Sequence, residues 1–147
     1  MYRRDRDALR VLLVHPGGPF WKNRDEGAWS IPKGECETGE EMLGAARREF
    51  EEELGSKPAG DFQPLGDIRQ RSGKLVTAFA VEGEFDPRAL CSLEFELEWP
   101  PKSGNRKSFP EVDRAQWFTL EEARRKILPA QGEFLDRIEA LTADTGR

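Results

Sequence analysis

Glu49, Glu52 and Glu53 stand at i, i+3 and i+4 within the run "REFEEELG", Arg48 to Gly55. On a helix, at about 100° per residue, this spacing gathers three carboxylates on one face and turns Glu51 away from them. The helix that carries them is predicted over Gly39 to Leu54, with Thr38 and Glu41 forming a capping box and Gly55 supplying the C-terminal stop. Leu43, Ala46, Phe50 and Leu54 form its apolar stripe. The acids lie where a helix least favours them. Unpaired carbonyls already make a helix C-terminus negative, each added anion costs ~0.3–1 kcal/mol there, and like charges at i+3 and i+4 repel. A solvated, salt-bridged face is the competing reading, but its pairs Arg47–Glu51 and Arg48–Glu52 run in the weaker direction, base before acid. A hard divalent cation resolves the conflict, since Mg²⁺ takes oxygen ligands and is commonly shared between carboxylates and substrate phosphates.

With Gly34, five residues, Glu40 and seven more residues ahead of Arg48, this segment resembles the Nudix box, G-x5-E-x7-R-E-U-x-E-E-x-G-U, where U is a bulky aliphatic or similar residue. Every fixed position matches. Ser56 departs from the apolar residue usual at the last position, and Phe50 is a minor variation at the first U. "VLLVHPGGPFW", "GAWSIPKGE" and "FPEVDRAQWF" extend the resemblance to a bacterial group of Nudix nucleoside triphosphate pyrophosphohydrolases. The resemblance implies an α/β (α+β) fold, a mixed sheet sandwiched between helices. It also implies hydrolysis of a diphosphate linkage by water attack at phosphorus. Under it Glu49, Glu52 and Glu53 become ligands for Mg²⁺ or Mn²⁺, and Arg48 holds those carboxylates in place. Gly34 lets the loop fold back on the helix, and Glu40 and Gly55 complete the structural positions of the box.

The family pattern also places an acid outside the box as E-x5-W before the last strand, which Glu111 and Trp117 fit, so Glu111 is a candidate base or further metal ligand. Glu94, Glu96 and Glu98, on the polar face of one strand, compete for that role. Lys33 is a candidate phosphate contact, as are Lys102, Arg106 and Lys107 in a basic loop. Trp21, Trp29 and Phe109 are candidates to stack a nucleobase. His15, the one histidine, reads as the end of a strand. "WSIPKG" resembles the entry to the box in dinucleoside polyphosphate hydrolases, although the downstream tyrosine of that group has no counterpart, Tyr2 being the one tyrosine. Nucleoside triphosphates or dinucleoside polyphosphates are the leading substrates, with ADP-ribose-type and other small diphosphates behind them. A Nudix-fold module that senses a nucleotide without cleaving it is the rival class, and such modules tend to lose the box acids retained here.

These residues need elements to hold them. Strands are predicted at "LRVLLV", "FQPLGDIRQ", "KLVTAFAVEGEF", "CSLEFELEW" and "EVDRAQWFTL", and "HPGGPFWKNRDEGAWSIPKGE" reads as a long loop with a short extended piece around Trp29 to Ile31. In "CSLEFELEW" the alternation predicts Cys91, Leu93, Phe95, Leu97 and Trp99 on the core face. Pro100 to Lys107 reads as a loop, and Thr119 with Glu122 as a second capping box. Helices follow over Leu120 to Leu128 and Gln131 to Leu141, broken by Pro129. The 147 residues suit one domain, 1–147. A net charge of -5 argues against a dedicated nucleic-acid binder. The apolar run Val11 to Val14 is too short for a signal peptide or a membrane span, so the expectation is a cytoplasmic protein with a small-molecule partner. Cys36 and Cys91, with no second Cys or His nearby, form neither a disulfide framework nor a zinc set.

Overall fold

Val11 to Val14 form the hub of the molecule, inside strand β2 (Leu9–Pro16), in a computed structural model that describes residues 1–6, 8–34 and 39–145. The strand is apolar on both faces because both are covered. Leu12 and Val14 pack with Phe50, Leu54, Phe85 and Trp117 on one side. Val11 and Leu13 pack with Trp29, Phe118, Ile127, Leu135 and Ile138 on the other. Helix α1 (Met42–Leu54) lies over the first side, and α2 (Leu120–Lys126) with α3 (Gly132–Thr145) over the second. The layering is that of an α/β/α sandwich.

The remaining strands are β1 (Tyr2–Arg4), β3 (Gln63–Arg69), β4 (Leu75–Ala80), β5 (Glu94–Glu98), β6 (Arg106–Pro110) and β7 (Val112–Thr119). They form three small antiparallel sheets, β1-β2-β7, β3-β4 and β5-β6, rather than one continuous sheet. Parallel pairing enters through isolated bridges, Tyr2 with Glu82 and Trp29 with Ile127. Tyr2 N–H donates to Val81 O at 2.9 Å, joining β1 to the end of β4, while β2 and β4 themselves face each other across a gap. The gap becomes a cavity of about 670 Å³.

Several boundaries differ from the sequence expectation. The first helix begins at Met42 rather than Gly39, with Glu41 in an extended N-cap conformation and no side-chain cap bond. Thr38, the expected cap, lies outside the described residues, as does Cys36. Ala45 takes the buried place on the apolar stripe that Leu43 was expected to hold. Strand β6 begins inside the predicted Pro100 to Lys107 loop, at Arg106 and Lys107, because Phe95 pairs with Phe109 and Leu97 with Lys107 across the hairpin. Cys91 and Leu93 fall before β5 and are exposed, not core. Their amides are drawn instead to the end of α1. The second N-cap forms at Thr119, with Glu122 N–H donating to Thr119 Oγ1 at 3.2 Å, while the Glu122 carboxylate accepts from that hydroxyl at 3.1 Å.

Candidate active site

The last turn of α1 is completed by backbone from elsewhere. Gly55 adopts φ 83° and its N–H reaches Glu51 O at 2.7 Å. Leu93 N–H donates to Glu52 O at 2.9 Å and Cys91 N–H to Leu54 O at 3.1 Å. A β-carbon at position 55 would sit 2.6 Å from Cys91 O, so the approach requires glycine. These donors satisfy carbonyls that would otherwise repel the nearby acids.

The same segment positions Glu111. Its N–H donates to Leu93 O at 2.8 Å, and its carbonyl accepts from Gly17 N–H at 2.9 Å. A β-carbon at position 17 would lie 1.9 Å from Pro110 O. Leu93 thus links the Glu52 carbonyl to the Glu111 amide. Glu111 is exposed between β6 and β7, and its charge raises the pKa of both Glu49 and Glu53. Trp117 lies buried in β7 and donates from Nε1 to Phe85 O at 2.9 Å, fixing the strand that follows Glu111.

The acids of α1 distribute as the helical spacing requires: Glu51 is exposed, Glu49 and Glu52 half-buried, Glu53 buried. Gly34 folds against Glu49 so closely that a β-carbon there would fall 1.8 Å from the carboxyl carbon. Lys33 N–H donates to Glu53 Oε2 at 3.1 Å, while the Lys33 side chain is exposed. Arg48 meets Glu40 through Nε at 2.8 Å and Nη2 at 3.1 Å, and its Nη1 lies 2.8 Å from Glu49 and 3.0 Å from Glu52. These carboxylates, Glu40 foremost, raise the Arg48 pKa further and hold the guanidinium charged.

Burial, with the Glu49 and Glu111 charges adding to it, pushes the Glu53 carboxyl up to about 8, against the opposing Lys33 amide bond and Lys33 charge. Burial also raises Glu49. Among the described residues no three His, Cys, Asp or Glu side chains are arranged as a ready metal cage. Arg48 bridges Glu49 and Glu52, and Glu53 turns to the Lys33 amide. The donor set nonetheless fits a hard divalent ion: all oxygens, with the buried Glu53 under-compensated and a guanidinium bridging two of its neighbours.

The other sequence candidates separate. Trp29 is 1% exposed, packed edge-on against His15 and Phe118 with Nε1 donating to Asp25 at 2.8 Å. A ring enclosed in the core has no face for a nucleobase, which corrects its assignment as a substrate contact. Lys102 lies in the turn of the β5–β6 hairpin and Arg106 at its outer end. Arg106 is five strand residues from Glu111, about 17 Å at ~3.4 Å per residue. It pairs with Glu96 at 3.2 Å, on the neighbouring strand of the hairpin. Glu94, Glu96 and Glu98 are exposed along the same hairpin. Trp21 and Phe109 are half-buried, Trp21 beneath Arg24 and Phe109 against Phe95. His15 is fully buried near the end of β2, with Nδ1 2.8 Å from Asp113 Oδ1 and Nε2 2.6 Å from Arg24 O. The clamp made by Gly17, Leu93 and the Lys33 amide had no sequence signal beyond the glycine pair of "HPGGP", because backbone donors are the same at every residue.

The family model for the NUDIX domain matches residues 1–138. The chain therefore belongs to the NUDIX family, and its class is that of the pyrophosphohydrolases. No curated protein matches it. Similar solved structures include an Ap4A hydrolase binary complex from C. elegans, 20% identical, covering 97% of this chain and 94% of that one at a TM-score of 0.66. A mutT/nudix family protein from Listeria innocua is 18% identical, with coverage of 98% and 90% and a TM-score of 0.63. The MutT protein of Methanosarcina mazei Go1 is 18% identical, with coverage of 96% and 90% and a TM-score of 0.57. At these identities the likeness is one of fold.

Proposed function

We propose that this chain hydrolyses a diphosphate linkage in a nucleoside triphosphate or dinucleoside polyphosphate, with Glu49, Glu52 and Glu53 holding Mg²⁺ or Mn²⁺ and Glu111 serving as base or further ligand. One observation carries the reading: Glu49 belongs to the acid cluster and also lines the cavity of about 670 Å³ between β2 and β4. A diphosphate at the acids leaves its organic moiety facing that cavity, whose apolar walls and volume suit a small-molecule ligand. The C. elegans neighbour, named for hydrolysing Ap4A, supports a nucleotide polyphosphate.

When bound, the ion supplies charge neutralisation at the phosphate oxygens and a bound water of lowered pKa. The chain's own residues do the rest. Arg48 keeps Glu49 and Glu52 in register, and Gly34 leaves room for the Glu49 carboxyl. Lys33 contributes a point charge for phosphate beside Glu53. Exposed Glu111 accepts a proton from the attacking water, its backbone held on both sides by hydrogen bonds. A cytoplasmic setting belongs to the same proposal; among the described residues no helix is long and apolar enough to cross a membrane.

The test incubates the protein with Mg²⁺ and a panel of nucleoside triphosphates, dinucleoside polyphosphates and ADP-ribose, and identifies the products. Nucleotide cleavage that stops with excess EDTA is expected. Full activity in EDTA, or cleavage of ADP-ribose alone, overturns the proposal.

A further inference from the structure

His15 is fully buried at an irregularity in the pairing of β2 with β7. His15 pairs with Arg114 but Pro16 with Val112, so β7 carries one residue more than β2 at this point, Asp113. Such a bulge breaks the ladder locally and re-aims the chain beyond it. Side chains alternate along a strand, so in a regular β7 Asp113 would follow Ala115 and Trp117 onto the α1 side. With the extra residue Val112 takes that place, in the cluster that holds Phe50 and Leu54 of the helix carrying the acids. Glu111, one residue earlier, is brought up to the same helix. Asp113 turns instead to His15.

The imidazole holds this irregular point from two directions. The Asp113 carboxylate and the Arg24 carbonyl both accept, so the ring donates to each, over 2.8 Å from Nδ1 and 2.6 Å from Nε2. The first bond pins the bulged residue, two positions after Glu111, where the ladder is broken. The second closes the loop that starts at Gly17, whose N–H holds the Glu111 carbonyl at 2.9 Å. The ring is itself packed edge-on against Trp29. We propose that His15 is a positioning residue for Glu111, fixing through Asp113 and the Arg24 carbonyl the bulge that aims Glu111 at the acids of α1. The inference rests on the hydrolase reading above, in which Glu111 is base or further ligand.

The experiment measures kcat and KM for the cleaved nucleotide with Mg²⁺ in His15→Phe, Asp113→Ala and Asp113→Asn, each alone and combined with Glu111→Gln. His15→Phe keeps a ring against Trp29 but donates nothing, and Asp113 is exposed, so its variants serve should the buried one fail to fold. His15→Phe and Asp113→Ala should each lower kcat about tenfold with KM unchanged. Asp113→Asn, whose amide oxygen still accepts, should recover most of that loss. On the Glu111→Gln background the same substitutions should cost no more than about twofold, because the group they position is already gone. An equal loss on both backgrounds marks a merely structural role and overturns the inference, as does an unchanged kcat in Asp113→Ala. Arg114 Nε lies 3.7 Å from Asp113, and an equal loss in Arg114→Met would assign the effect to that pair and overturn it too. Amide hydrogen exchange reads the inference without turnover. In Asp113→Ala the Gly17 and Glu111 amides should exchange about tenfold faster than in wild type, while the bonded amides of Leu12 and Ile127 stay unchanged. Faster exchange in a protein that hydrolyses no nucleotide sustains the positioning while the hydrolase reading falls, and unaltered exchange overturns the inference.

Discussion

Glu53 concentrates the electrostatic conflict of the helix in a single carboxyl, and its neighbour Glu51 provides an internal control two residues away. Both are glutamates in the last turns of α1, but Glu51 is exposed whereas Glu53 is buried against the Lys33 amide. Glu53→Gln should lower turnover by at least ~10²-fold, about 2.7 kcal/mol of barrier, and Glu51→Gln should cost little. Equal losses from the two would mean that the acids are a structural surface. Stability gives an independent readout. An acid with a raised folded-state pKa binds its proton more tightly when folded, so its contribution is complete below its ordinary 4.5 and is lost as the pH climbs to about 8. Metal-free wild type should therefore lose melting temperature across that window, while Glu53→Gln, whose amide oxygen keeps the Lys33 bond, should follow a flatter profile. Thermal unfolding in EDTA at stepped pH checks both curves; parallel profiles would contradict the burial of an under-compensated carboxyl. Added Mg²⁺ should stabilise wild type by mass action, and Glu53→Gln less.

The elements around the site meet through glycines, and two of them separate positioning from folding. At Gly34 an added β-carbon collides with the end of a flexible side chain, the Glu49 carboxyl. Gly34→Ala should leave melting little changed yet displace Glu49, and an error of about 1 Å in a reacting group can cost ~10²-fold in rate. At Gly17 the collision is with the Pro110 carbonyl, which is backbone. Gly17→Ala should therefore cost stability as well, ~1–3 kcal/mol, in addition to loosening the Glu111 anchor. Comparing denaturant midpoints with kcat for the two variants tests the distinction, and a destabilised Gly34→Ala with normal kcat would count against it. Glu111→Gln belongs with these, because its loop is fixed by main-chain bonds that the substitution leaves in place. A ~10²-fold loss of turnover without loss of stability is expected, and near-normal turnover there with an inactive Glu96→Gln would reassign the acid.

Across the whole molecule, β2 divides the core, and the side of that division facing α2 and α3 decides what Trp29 is for. Its ring lies between His15 and Phe118, so Trp29→Ala should destabilise by ~3–5 kcal/mol. Trp29→Phe, which keeps most of the packing, should leave KM for nucleotides unchanged; a raised KM with unaltered stability would restore Trp29 to the substrate site. The cavity arises at the same scale, where β1 is joined to the end of β4 at Tyr2 while β2 and β4 face each other across a gap. No local pattern in "KLVTAFAVEG" announces that separation, since its small residues read equally well as a closely packed strand.

The spacing of Glu49, Glu52 and Glu53, the arrest at Gly55, the second cap at Thr119 and the two-sided apolar run of β2 were all readable from sequence, because each depends on residues within a turn or two of one another. The family resemblance of the box rests on the same local code. Only the tertiary structure decided that Leu93 bridges Glu52 to Glu111, that Gly17 secures the other side, and that Cys91 and Leu93 leave the sheet to complete a helix. It also decided that Trp29 is core and that Arg48 reaches Glu40, Glu49 and Glu52 together. The Leu93, Gly17 and Cys91 contacts join distant segments through backbone amides and carbonyls, which every residue carries alike, so their partners are chosen by packing and not by side-chain identity.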